Sequence, residues 1–235
     1  MKLQTLTELL TPHPYPGRGI LLGRSADGQH GVMAYFIMGR SENSRNRVFD
    51  ETPDGLRTRA FDERKMTDPS LIIYHPVRRA GGATIVTNGD QTDTIRDALQ
   101  AGQSYVEALR LRCFEPDGPN YTPRISGVLT DQGSYCLSIL KSADGDPQCN
   151  HRFFYEYDAP LAGEGHIIHT YQENLNPLPS FEGEPRRVSL TAPSPAALAQ
   201  ELWAHLNEEN RVSLFVRYRA LSTGDEETVI INKHS

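Results

Sequence analysis

Cysteine is scarce in this chain, and the three that occur, Cys113, Cys136 and Cys149, are neither clustered nor spaced as CxxC or zinc ligands. They predict reduced thiols, not a disulfide framework, and hence a cytoplasmic protein. Long apolar runs are missing too. No stretch approaches the ~18 residues needed to cross a bilayer, and residues 1–14 lack the apolar centre of a secretory signal, so no membrane partner is expected. Nor is there an excess of positive charge: 24 Lys and Arg against 30 Asp and Glu leave a net charge of −6. That argues against nonspecific nucleic-acid binding but leaves room for a local basic pocket. The chain also lacks GxxxxGK[ST], a strand-linked GxGxxG, HExxH and GxSxG, which sets aside the commonest phosphate-loop, dinucleotide, zinc-protease and serine-hydrolase chemistries.

What is present reads as one globular, loop-rich domain over residues 1–235. Hydrophobic residues make up 37%, the 16 prolines are scattered, and no linker separates two halves. Residues 1–14 carry a weak helical phase in Leu3, Leu6, Leu9 and Leu10 and predict an edge helix or arm. Strands are expected around 20–22 and 32–38, joined at Asp27-Gly28, and at 56–61 and 71–77. Further strands are expected at 83–86, 124–130, 134–141, 151–157, 165–171, 212–221 and 228–232. Helical spacing runs through Ile95, Ala98, Leu99, Gly102, Val106 and Leu109, and again over 193–207, where Ser194 is a plausible cap ahead of Pro195. With hairpins dominating and no βαβ alternation, the expected class is α+β: antiparallel sheets packed face to face with helices outside.

The stretch Val86–Ile95, V-T-N-G-D-Q-T-D-T-I, compresses a strand end, a tight turn and a helix start. Thr92 or Asp90 can cap that helix, and backbone N–H groups with short polar side chains converge there, which suits a small polar or anionic ligand. A turn that merely turns fits the same residues. Asp90 and Asp93 can hold a magnesium ion or simply favour the helix N-terminus. Upstream, Arg40, Arg45 and Arg47 fall within eight residues just past a strand end. Guanidinium forks match phosphate oxygens, although solvated loops gather arginines as well. His166 and His169, three apart in a strand, point to opposite faces and are poor joint metal ligands.

Two boxes carry a resemblance. N-G-D-Q-T-D-T-I (88–95) and P-N-Y-T-P-R-I (119–125) resemble the N-G-x-x-T-D-T-I and N-T-P-R-I boxes of the archaeal-type IMP cyclohydrolases. The likeness runs from about Pro16 to about Leu140 and fades beyond. It implies a four-layer αββα sandwich of the N-terminal-nucleophile hydrolase type. It also implies one reaction, the dehydrative closure of 5-formamidoimidazole-4-carboxamide ribonucleotide to IMP. The carboxamide nitrogen attacks the formyl carbon within one molecule, so geometry, proton traffic and charge are what the protein must supply; no metal or cofactor is needed.

Matched to the family's R-S-x-x-N-R segment, Asn46-Arg47 aligns while two extra residues separate it from Arg40-Ser41. The resemblance favours Arg47 for polarising a carbonyl oxygen. The family's N-P-x-x-x-Y tyrosine matches Tyr74 in Asp68–Tyr74, as donor to the formyl oxygen; without the resemblance, Tyr74 reads as a core aromatic. Its glutamate matches Glu115, for proton transfer or orientation of the amide. Arg40, Ser41, Arg45, Asn46, Asn88, Asp90, Thr92, Asp93, Asn120 and Arg124 are then expected to bind the purine nucleotide. For Thr92 and Arg124, capping and salt bridging are equal alternatives. The alternative functions are a noncatalytic purine-nucleotide-binding paralogue, a paralogue acting on a related imidazole nucleotide, or an amidohydrolase on the same fold. The last would need a nucleophile that Tyr15-Pro16-Gly17-Arg18 does not offer. Homo-oligomerisation is possible for such a sandwich.

Overall fold

A computed structural model describes residues 2–66, 68–69 and 71–234. Met1 of the expected arm and Ser70 of the Asp68–Tyr74 segment lie outside them. Six strands form one antiparallel sheet: β1 (Arg18–Arg24), β2 (His30–Met38), β10 (Glu164–His169), β11 (Arg186–Ser189), β12 (Arg211–Ala220) and β13 (Glu226–Asn232), ordered β11-β10-β1-β2-β12-β13. Seven form the other: β3 (Arg47–Thr52), β4 (Gly55–Ala60), β5 (Val77–Ala80), β6 (Ala83–Thr87), β7 (Arg124–Thr130), β8 (Tyr135–Ala143) and β9 (Asp146–Tyr157), in chain order.

Alternation along the strands builds the layers. On β1, Ile20 and Leu22 face the second sheet, where they join Val86, Ile125, Leu137 and Ile139. Leu21, one residue out of phase, faces the opposite way and meets Leu198 and Leu202 of α5 (Pro195–His205) and Leu6 and Leu10 of α1 (Leu6–Leu10). Ile85 likewise turns away from the sheet interface, toward Ile95 of α3 (Gln91–Gln100) and Leu109 of α4 (Tyr105–Arg110). The layers therefore run helix, sheet, sheet, helix, an α+β sandwich as expected. Ser194 caps α5 by accepting from the Ala197 N–H at 3.2 Å, also as expected.

Several expectations are corrected. Residues 71–77 are not a strand: the N–H groups of Ile72 and Ile73 turn back to the Pro69 carbonyl, and the Tyr74 N–H donates to the Thr58 hydroxyl, outside the ladder. Only from Val77 does pairing with β6 begin. The helical phase of 95–109 is two helices, because the chain reverses at Gly102, φ +74°, and Ser104 starts α4 with a capping box. Neither Asp90 nor Thr92 caps α3 through its side chain: the Asp90 carboxylate is taken by arginines, and the Thr92 hydroxyl donates to the Gly89 carbonyl at 3.0 Å. Strands β3, β5 and β11 were not expected; each is short and two are rich in arginine, so apolar alternation does not mark them. His166 and His169 do part company, His166 Nδ1 meeting the Tyr135 hydroxyl and His169 Nδ1 the Tyr171 carbonyl.

Candidate active site

Three arginines head three strands: Arg18 opens β1, Arg47 opens β3 and Arg124 opens β7. β3 and β7 run the same way in their antiparallel sheet, so Arg47 and Arg124 open at one end of it, and Arg18 of the other sheet joins them there, acting on Arg47 and, with both, on Glu115. Arg47 is fully buried. Its Nε donates to the Ser44 carbonyl of the short helix α2 (Glu42–Arg45) at 2.9 Å, while Nη1 and Nη2 have no hydrogen-bond partner among the described residues. Arg18 Nε is buried in the same condition. Burial and the neighbouring Arg18 charge both pull the Arg47 guanidinium below its ordinary pKa. A fully buried cation beside a half-buried one whose Nε is shut off from water favours an oxygen-rich or anionic group between them.

Tyr74, brought in by the connection between β4 and β5, meets Tyr35 of β2 with the hydroxyls 2.7 Å apart. Burial raises both phenols, while the Arg47 and Arg18 guanidiniums act to lower them. Across from them is Glu115, 3% exposed although it sits on a loop. Burial pushes its carboxyl up to about 7, with Asp117 adding to the rise and Arg18, Arg124 and Arg47 opposing it. A carboxyl poised near neutrality beside a phenol pair and unmatched guanidinium nitrogens can take and return a proton while oxygen charge is held nearby.

The N-G-D-Q-T box builds the floor. Asn88 Oδ1 accepts from the Ile125 N–H at 2.9 Å and Nδ2 donates to the Pro123 carbonyl at 2.8 Å, so this side chain stitches the end of β6 to the start of β7. Arg124 is thereby held where Nη1 donates to Asp90 and to Gln91 Oε1, both at 2.7 Å, 4.0 Å from Glu115 Oε1. A Cβ on Gly89 would lie 2.6 Å from Arg124 Nη1, so only glycine lets the turn come this close. Burial works against the Asp90 charge, but hydrogen bonds from Arg112 and Arg124 prevail and hold its carboxyl below the usual range. Asp93 pairs with Arg78 at 2.7 Å and Arg96 at 3.1 Å, apart from Asp90.

Other expected site residues are placed less centrally. Arg40 lies at the rim, its guanidinium 5.0 Å from the Tyr15 ring and donating to Asn174 Oδ1 and the Leu175 carbonyl. Ser41 caps α2. Arg45 is bound to the Gly39 carbonyl and Asn210, and the Asn46 amide exchanges two bonds with the Asp62 backbone. Asn120 Oδ1 accepts from the Leu178 N–H, and Thr92 meets the Thr87 hydroxyl. The structure thus gathers Arg47, Tyr74, Glu115 and Arg124, and commits Arg45, Asn46, Asn88, Thr92 and Asp93 to holding loops and turns. Arg18, Tyr35, Tyr15 and Tyr171 were missed. Tyr15 and Arg18 have one sequence signal, Y-P-G-R-G, where Gly17, φ +79°, lets the strand entrance approach Tyr171 so closely that an added Cβ would sit 2.5 Å from its ring; Tyr35 and Tyr171 have none.

With this geometry in view, the comparisons are specific. A family model described as "IMP cyclohydrolase-like protein" matches residues 15–225. The IMP cyclohydrolase of Halobacterium salinarum (strain R1) is 32% identical over 132 residues, 54% of this chain and 63% of that protein. That of Methanococcus aeolicus is 31% identical over 125 residues, 52% of this chain and 61% of the relative. The enzyme of Methanopyrus kandleri is 28% identical over 193 residues, covering 72% and 89%. The match therefore spans less than two thirds of the length of the first two relatives. Because the family model covers both boxes, the entrance arginine and the strands that carry them, the chain belongs to the IMP cyclohydrolase-like family.

Proposed function

We propose that the protein is an IMP cyclohydrolase, closing the purine ring of 5-formamidoimidazole-4-carboxamide ribonucleotide with loss of water. The observation that carries this reading is the buried Glu115 carboxyl, raised to about 7, grouped with the unpartnered Nη atoms of Arg47 and the Tyr35–Tyr74 hydroxyl pair. The names and coverage of the relatives support it. The reading takes residues 1–235 as one domain and the layered sandwich as N-terminal-nucleophile hydrolase-like.

In this mechanism Arg47 binds the carboxamide oxygen and steadies the charge that grows there as Glu115 takes the amide proton. The nitrogen then bonds to the formyl carbon, and the formyl oxygen is protonated by Tyr74, to which Tyr35 donates. The resulting hydroxyl leaves as water after receiving the proton held by Glu115, and the formamido N–H gives its proton back to the Tyr74 phenolate as the ring C=N bond forms, so both groups return to their starting states. Holding both reacting groups of one molecule in near-attack geometry supplies much of the rate. Arg18, Arg124 and the rim residue Arg40 add positive charge for a phosphorylated substrate.

The test is the absorbance change when the purified protein meets the formamido nucleotide, before and after EDTA. Turnover is expected to survive EDTA and to fall about 10²-fold or more in Glu115→Gln, the scale for removing a general acid or base. Tight IMP binding with no turnover would overturn the enzyme reading in favour of a nucleotide-binding paralogue.

A further inference from the structure

Glu115 lies in a loop between α4 and β7, and a loop carboxyl needs something to hold it against three arginines. Thr122 is the centre of that support. Its carbonyl accepts from the Glu115 N–H at 2.9 Å, its N–H donates to Asp117 Oδ1 at 2.6 Å, and its hydroxyl bonds to Asp117 Oδ2 and to the Tyr171 hydroxyl, the latter at 2.6 Å. A proton count fixes the directions. The Thr122 hydroxyl has one proton, and an ionised Asp117 carboxylate can only accept, so that proton goes to Asp117. Tyr171 must then donate to Thr122, leaving its own lone pairs directed away from Thr122. Tyr171 is 2% exposed, stacks on Tyr15 with centroids 5.8 Å apart, and lies in the electrostatic field of Arg18.

We propose that Asp117 and Thr122 form a clamp that positions the Glu115 carboxyl for proton transfer and fixes Tyr171 as a hydrogen-bond acceptor toward the substrate. The proposal deepens the cyclohydrolase reading and rests on it for its kinetic consequences. Asp117 acts through Glu115 in two ways: it closes the loop, and its charge opposes ionisation of its neighbour. The charged and titratable groups facing Glu115 are Arg18 of β1, Arg47 of β3, Arg124 of β7, Tyr74 and Asp117 itself, and all the cations oppose Asp117. Removing Asp117 charge therefore tips the balance toward the carboxylate.

The experiment is a carbon-13 NMR titration of glutamate carboxyls in the substrate-free protein, with the Glu115 signal assigned by its loss in Glu115→Gln, alongside kcat and KM against pH. In Asp117→Asn the Glu115 midpoint is expected to fall by about half to one pH unit. The pH limb of kcat should move with it, and kcat should drop on the order of tenfold with KM nearly unchanged. Thr122→Val should lose kcat similarly and Thr122→Ser should restore it, which reads out the clamp even if Asp117→Asn does not fold. An unmoved midpoint and kcat in Asp117→Asn, or wild-type kcat in Thr122→Val, overturns the clamp. If the wild-type protein does not turn over the formamido nucleotide, the cyclohydrolase reading fails on its own, while the NMR midpoint still decides whether Asp117 controls Glu115.

Discussion

Glu115 is bought at the expense of stability. Its carboxyl is raised in the fold to about 7 from the usual 4.5, so the folded state holds this proton more tightly than the unfolded chain does. A raised folded pKa means that the contribution is fully present below pH 4.5 and is lost as pH climbs through about 7. The loss is at most about 3 kcal/mol, from the size of the shift. Glu115→Gln cannot ionise and escapes it. Thermal unfolding should therefore show Glu115→Gln little different from wild type at pH 5 and more stable at pH 8, while its activity is lost. A wild-type advantage at pH 8 would show that the arginines, not burial, dominate at this carboxyl. Arg47 follows the same logic, being fully buried with two nitrogens unmatched among the described residues. Such groups persist where binding or catalysis needs them.

At the scale of elements, the turn between β6 and α3 is where local and tertiary demands meet. Asn88 ties the turn to β7, and Gly89 gives up its side chain so that Arg124, Gln91 and Glu115 can close over it. A methyl at Gly89 would lie 2.6 Å from Arg124 Nη1, 2.7 Å from Gln91 Oε1 and 3.3 Å from Glu115 Oε1. The first two neighbours are side-chain ends that can swing aside, so Gly89→Ala should remain folded, with a cost of about 1–3 kcal/mol. Its larger effect should be on kcat, because the atoms displaced belong to the site. Urea unfolding together with steady-state kinetics separates the two; an unchanged kcat would remove this turn from the site. The same element explains why the cap expectation failed. Asp90 was read as a local cap, but Arg112 and Arg124, distant in sequence, offered its carboxylate a stronger charge-assisted pairing.

At the scale of the molecule, the sheets are joined by more than their apolar interface. Arg79 of β5 and Asp131, just past β7, meet Arg217, Arg219 and Glu226 of β12 and β13 in one charged network. Glu226 holds three arginines, at 2.8 Å for Arg217, 2.9 Å for Arg219 and 3.2 Å for Arg79. Burial acts against the Arg217 charge and Glu226 is its main support. Glu226→Gln leaves Arg79 and Arg219 sharing Asp131 and Arg217 with only Glu51, at 3.8 Å, and should cost about 1–3 kcal/mol in urea unfolding, discounted toward the lower figure because Glu226 is partly exposed. Activity at the site end should persist in this variant. A neutral effect on unfolding would mean that solvent screens the whole network.

Elements whose information is local were legible in the amino-acid order. The Asp27-Gly28 hairpin, the Ser194 cap, the apolar runs of β1, β2, β7 and β12 and the absence of βαβ order were legible because turn chemistry and β-branched apolar composition act between near neighbours. The two boxes carried the family, and through it Arg47, Tyr74 and Glu115. Which arginine nitrogens lose their partners and their water was settled by packing, because the burial of Arg47 and of the Arg18 Nε depends on two sheets meeting over them. Packing also decided that Tyr35, hidden in the apolar run of β2, has its hydroxyl against Tyr74, and that Thr122, bonded to Asp117, reaches Tyr171 49 residues further along the chain. Periodicity reports which face a side chain occupies; it carries nothing about what the opposing layer brings to that face, and the candidate site is made of such encounters.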